Sequence, residues 1–152
     1  MSALAATIVL HSKNGERTVP AREFHQGPYE TAALPGEILT EIRVPIRHQT
    51  GSAYEKVERR AGDWAVAASG VFVSISGGVV SDCGIGLTAV GVEHFCAPAA
   101  EAALRGQAPT EDNIAVAAQL AADASNPSSD QRGPADYKRH LAKELTARAL
   151  RR

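Results

Sequence analysis

The stretch "AVAASGVFVSISGGVVSDCGIGLTAV", Ala65–Val90, decides the fold. Two apolar runs rich in β-branched residues flank Ser76-Gly77-Gly78, a sequence suited to a tight reversal. The pattern predicts a strand over Ala65–Ile75, a hairpin at Ser76–Gly78 and a second strand over Val79–Val90. On the N-terminal side, "SAYEKVERR" predicts a further strand over Ser52–Arg59. Sequential strands joined by short turns make an antiparallel meander.

Beyond Val90 the chain reads as helical. "APAAEAALRG" is an alanine-rich helix that Gly106 stops. "TEDNIAVAAQLAADAS" begins with a Thr110 cap and two acids, then puts Ile114, Ala117, Ala118 and Ala121 on one face. After "NPSSDQRG", Pro134 is expected as a first helical residue, and Tyr137, Leu141, Leu145 and Ala149 form an apolar stripe down the last helix. Tyr137 is expected in the core. Before residue 48 the texture is looser: "ATIVLHS", "ERTVP" and "EILTEIRVPI" predict short strands, with turns at Asn14-Gly15, Gly27-Pro28 and Pro35-Gly36. These strands promise little core of their own. The expected architecture is α+β: a three- to four-stranded antiparallel meander with about three helices on one face, preceded by short strands.

Composition narrows function. The chain has 152 residues, enough to bury a core without disulfides or metal. Sixteen basic and seventeen acidic residues give a formal charge of -1, so no global field draws it to nucleic acid or a membrane. Cys83 and Cys96 lack CxxC spacing, which predicts small buried hydrophobes in a reducing compartment and no metal site. "ALAATIVL" is too short to span a bilayer and lacks a signal-peptide pattern, so a cytoplasmic protein without a membrane span is expected.

Familiar catalytic motifs fail. "GIGLTA", Gly84–Ala89, fits a loose dinucleotide pattern, but it lies inside an expected strand and opens no helix. His11, His25, His48, His94 and His140 share no ligand spacing. No nucleophile elbow and no Walker loop is present. No residue is assigned a catalytic role.

The segment "SAYEKVERRAGDWAVA", Ser52–Ala67, places six charges and the only tryptophan where the buried strand begins. One reading is an edge strand with solvated charges and a core tryptophan. The other is a site: alternation sends Lys56, Glu58 and Arg60 to one side, and Gly62 permits a bend that presents Asp63 and Trp64 from a loop. An aromatic beside donors and an acid suits a conjugated ring.

That segment, with "IGLTAVG", "AEAALRGQAPTED" and "SSDQRGPADYKRHLAKELTARAL", resembles the C-terminal domain of the FAD-binding medium subunit of molybdenum hydroxylases, most closely the carbon monoxide dehydrogenase type. "GERTVPAREFHQGPYETAALPGEILTEIRVP" resembles the end of that family's FAD-binding domain. The resemblance implies residues 1–48 as that remnant and 51–152 as the C-terminal domain. It implies electron transfer: a large molybdenum subunit oxidises substrate, a small subunit carries [2Fe-2S] clusters, and FAD in the medium subunit passes electrons to an acceptor. Molybdenum cofactor and clusters are expected only in those partner subunits. The segment matching Lys56–Trp64 lies by the isoalloxazine in that family. Trp64 is therefore expected near the flavin, with Asp63 positioning the loop or setting charge, and Lys56 and Arg59 as polar contacts or loop supports. Arg60 is expected in a structural salt bridge. "SDQRG" suits either an interface loop or a turn leading into the helix.

The family's glycine-rich pyrophosphate loops precede the region matched here. The chain alone is thus expected to hold FAD poorly. A truncated product, a fragment, or half of a split subunit completed by a separate N-terminal FAD-binding polypeptide would all have this form. "VGVEHFCAPAAE" departs from the family's usual proline and basic residues; Phe95 either packs with Cys96 or marks a partner surface. Ala5 stands where glycine is common, an exchange expected to change little. The second functional class left open is a flavin-free protein–protein interaction module.

Overall fold

The computed structural model describes residues 1–27 and 29–152. Its first lobe holds β1 (Thr7–Ser12), β2 (Gly15–Pro20), a one-turn helix α1 (Ala21–Phe24), a small pair β3 (His25–Gly27) and β4 (Glu30–Thr31), and β5 (Ile38–Arg43). β2, β1 and β5 form one antiparallel sheet in that order. The three expected strands are all present. The expected Gly27-Pro28 turn lies outside the described residues at Pro28. Contrary to expectation this lobe has a core of its own, built from Ala6, Ile8, Leu10, Val19, Ala21 and Phe24. The sequence pattern hid it because α1 supplies two of those residues from one turn too short to show helical periodicity.

The second lobe is the expected meander. β6 (Thr50–Glu58), β7 (Ala65–Ser76) and β8 (Val79–Thr88) pair antiparallel in chain order. Gly77 and Gly78 turn the β7–β8 hairpin with φ of 59° and 79°, a region that suits glycine. Helices α2 (Pro98–Leu104), α3 (Glu111–Asp123) and α4 (Ala135–Arg151) follow. α2 and α4 lie on the sheet, and α3 packs on both of them. Thr110 caps α3 by accepting the Asn113 amide at 3.3 Å, a bond type that contributes about 1 kcal/mol. Val71, Ile85 and Leu87 from the sheet meet Leu104, Ala117, Leu141 and Leu145 in the main core.

Two expectations for α4 need correction. Pro134 is the cap, not the first helical residue. Tyr137 is 43 % exposed, and Lys138 is the buried residue of that turn. The lysine gains by burial because its ammonium meets the Asp130 carboxylate at 2.7 Å and donates to the Ser128 carbonyl at 2.9 Å. Tyrosine has no such partner there.

All three helices use one face of the meander, so its opposite face meets the first lobe. There β8 shows Gly84 and Gly86, and the backbone around Ala3 crosses directly over them. This is the structural use of "GIGLTA": all of it but Ala89 lies within β8, and its glycines admit a crossing chain. Arginines fasten that crossing. Arg22 donates to the Ser2 carbonyl and Arg47 to the Leu4 carbonyl, while Arg47 also stacks 4.3 Å above the Phe72 ring. Ala5 adopts φ 49°, a left-handed conformation that costs an alanine about 1 kcal/mol relative to glycine. The alanine there is therefore not neutral.

These contacts predict opposite outcomes for two small exchanges. A Cβ on Gly84 would overlap the Ala3 carbonyl oxygen and sit 2.6 Å from a Phe72 ring carbon. Gly84→Ala is expected to cost about 2 kcal/mol or more, and Ala5→Gly to add about 1 kcal/mol. Urea unfolding of both variants checks this.

Candidate functional site

The face of β6–β8 turned away from the helices is lined by small residues. Tyr54 stands opposite Gly70, Lys56 opposite Ala68, and Gly70 opposite Gly86. The Tyr54 ring lies across Gly70, close enough that a Cβ there would touch it at 3.3 Å. Leu39 and Ile42 of β5 and Phe95 oppose this floor across a cleft of about 570 Å³. That volume falls within the usual range of about 300–1,000 Å³ for small-molecule sites. Phe95 stands edge-on to His25, with ring centroids 5.2 Å apart, and is partly exposed at the cleft's rim.

At one end of the floor, β6 and β7 are joined by the loop Arg59–Trp64. Gly62 makes its bend with φ 78°. The Lys56 ammonium donates to the Asp63 carbonyl at 2.7 Å and pairs with Glu58. Lys56 holds the Glu58 carboxyl below its ordinary range, and the Gly62 N–H adds to this by donating to Glu58 at 3.3 Å. The Asp63 carboxylate accepts the Trp64 N–H at 2.7 Å, and Arg59 Nε lies 3.7 Å from it. So Lys56, Arg59 and Asp63 converge to shape the loop. Trp64 does not pack inward: it is 79 % exposed, which excludes the core-tryptophan reading.

None of these four residues is among those lining the cleft, which Tyr54 does line. Tyr54 was missed because strand alternation alone does not say which face of β6 is open. The signal was present in Gly70 and Gly86, glycines inside strands, which mark the close approach of another group. Arg132 was also missed. Its guanidinium reaches the Ala65 carbonyl at 3.3 Å and lies 3.8 Å from the Asp63 carboxylate. Cys83 and Cys96 are buried, and burial pushes the Cys83 thiol up to about 11. Burial likewise raises the Cys96 thiol, and so disfavours the nucleophilic thiolate at both. No helix among the described residues is long and apolar enough to cross a membrane.

A β6–β8 meander with three helices on one face matches the family model of the CO dehydrogenase flavoprotein C-terminal domain over residues 52–152. The chain belongs to that family. Residues 1–47 match a second family, the FAD binding domain in molybdopterin dehydrogenase. The carbon monoxide dehydrogenase medium chain of Hydrogenophaga pseudoflava is 42% identical over 97% of this chain and 52% of its own length. The glyceraldehyde dehydrogenase medium chain of Sulfolobus acidocaldarius is 34% identical over 99% of this chain and 54% of its own. Among solved structures, carbon monoxide dehydrogenase from Hydrogenophaga pseudoflava lacking the Mo-pyranopterin moiety superimposes with a TM-score of 0.94 at 45% identity. That match covers 99% of this chain and 53% of the other. The chain thus spans about half the length of the curated relatives it matches.

An indole so exposed on a polar loop should emit as a solvated one. Trp64 fluorescence is expected to peak at long wavelength and to be quenched by acrylamide nearly as freely as tryptophan in solution. A short-wavelength, protected emission would contradict the loop geometry.

Proposed function

We propose that this chain forms the C-terminal part of an FAD-binding medium subunit in a molybdenum hydroxylase, and that its open sheet face forms part of the flavin site. The proposal rests on one observation: two family models, one named for a flavoprotein and one for FAD binding, match adjacent parts of the chain and together cover most of it. The residues fit the cofactor. A planar ring needs a flat floor beside an aromatic neighbour, and the paired Ala68 and Thr88 supply the floor next to Tyr54, whose ring already covers Gly70. FAD, when bound, would take electrons from iron–sulfur clusters and release them to an acceptor.

The chain's own residues would bind and orient. Tyr54 would offer a face to the ring, and Trp64 would close the edge nearest the β6–β7 loop. Asp63 would hold that loop in shape through its carboxylate and carbonyl oxygens. Lys56 and Arg59 would place positive charge beside the ring, where reduction adds electrons. We assign residues 1–48 to the end of the FAD-binding domain and 51–152 to the C-terminal domain. The pyrophosphate would be held by the preceding region of the family, as part of the same chain or as a separate polypeptide. Partners would be a small iron–sulfur subunit and a large molybdenum subunit. Substrate would be chosen in the latter, since relatives named for carbon monoxide and for glyceraldehyde both match this half along nearly all of it.

Titration with FAD tests this, with Trp64 fluorescence as the readout and free tryptophan as the control for light absorption by the flavin. With the family's preceding region supplied, saturable quenching is expected. Tyr54→Ala and Lys56→Ala are each expected to weaken binding about tenfold, or about 1.4 kcal/mol. No saturable quenching in that assembly would overturn the proposal.

A further inference from the structure

The turn Ser128–Gly133, just before α4, is fixed more firmly than a helix lead-in requires. Asp130 and Gly133 exchange two backbone hydrogen bonds of 3.1 Å. The Asp130 carboxylate accepts the Arg132 N–H at 2.8 Å, and Ser129 Oγ accepts the Ala135 N–H at 2.9 Å. Beneath the turn sits the Lys138 ammonium, the most buried charge on α4, 2.7 Å from Asp130. Lys138 accordingly holds the Asp130 carboxyl below its ordinary range.

This platform aims one side chain away from itself. Arg132 crosses to the end of the β6–β7 loop and uses one nitrogen on Asp63 of the loop and another on Ala65, the first residue of β7, 67 residues earlier. One donates to the Ala65 carbonyl at 3.3 Å, and the other lies 3.8 Å from Asp63 Oδ1. The same Oδ1 accepts the Trp64 N–H. The charges therefore alternate from the core outward: Lys138, Asp130, Arg132, Asp63, Arg59. Among the described residues, the loop's other polar contacts lie within the β6–β7 hairpin itself: Lys56 to the Asp63 carbonyl, Glu58 to Gly62, Arg59 to Asp63, and the Asp63 and Trp64 N–H groups to the Arg60 carbonyl and the Asp63 carboxylate. A planar guanidinium suits this task because its donors are fixed in a fork, whereas an ammonium is a single point.

We infer that Arg132 is a positioning residue, a latch that ties the loop carrying Asp63 and Trp64 to helix α4 and sets its shape before flavin arrives. A loop ordered in advance loses less freedom on binding, so the latch raises affinity without touching the ligand. The inference rests on the reading of this loop as part of a flavin site, and its test keeps the two apart.

Amide hydrogen exchange on the flavin-free chain reads the latch directly. In Arg132→Ala, exchange at residues 60–64 is expected to rise about tenfold while β7 and β8 stay as protected as before. Arg132→Lys is expected to restore part of that protection. The double variant Asp63→Ala with Arg132→Ala should show a rise smaller than the two single effects combined, because the two side chains share one of the two contacts that Arg132 makes. In the assembly with the preceding region, Arg132→Ala is expected to weaken FAD binding about tenfold. Unchanged loop exchange in Arg132→Ala would overturn the latch. So would a rise spread evenly over β7 and β8, since that marks general destabilisation. Loosening of the loop with undiminished FAD affinity would overturn its role in positioning. If the unaltered chain shows no FAD response in the same assembly, the flavin reading fails, and a loop loosened in Arg132→Ala still upholds the latch.

Discussion

The fold turns on one buried carboxylate. Glu101, on α2, is 2 % exposed and accepts the Ile85 N–H of β8 at 2.9 Å. Its oxygens also accept from Arg22 of α1 at 2.6 and 3.1 Å, and from Arg105 at 3.4 Å. One side chain thus ties a helix to its sheet and ties the first lobe to the second. A carboxylate this buried is tolerable only because every oxygen is engaged, and removing one member of such a group costs about 3–5 kcal/mol. Arg22 reaches it because the same guanidinium is braced on the Ser2 carbonyl, over the glycines of β8. The joint therefore fixes where the first lobe stands, and so fixes the width of the cleft between β5 and the small-residue floor.

The division of labour on the meander follows. Its helix-covered face carries the bulky core and the buried Thr146–Ser69 hydrogen bond of 3.0 Å that seats α4 on β7. Its other face carries Ala68, Gly70, Gly84 and Gly86 among fewer large side chains, Tyr54 and Phe72. That asymmetry has little value for stability, since strand glycines weaken a sheet. It is intelligible where another backbone or a flat ligand must come close, and the structure shows the backbone case at Gly84 and Gly86.

Much of this was legible in the chain. The hairpin at Ser76–Gly78, the Thr110 cap and the buried face of α3 are local chemistry, and each stands where its residues point. The family resemblance carried by "YEKVERRAGDWA" was legible too. What was not legible depends on contacts across long separations. Tyr137 and Lys138 exchanged expected roles because Asp130 supplies a partner that periodicity does not see. Glu101 carried no signal of its own inside an alanine-rich helix, and Arg132 lay in a segment that suited an interface loop or a turn alike, because their partners lie 79 and 67 residues away. Composition alone read Trp64 as core and the family resemblance read it as a site residue; in the structure it lies outward, after the bend at Gly62.

The central claim is that the open face of β6–β8 is a flavin surface organised by the β6–β7 loop. A crystal structure of this chain assembled with its family's preceding region and FAD tests it most directly. The isoalloxazine is expected over Ala68 and Thr88, against Tyr54, with the loop of Asp63 and Trp64 at its edge. A ring bound elsewhere, with this face filled by protein alone, would contradict it.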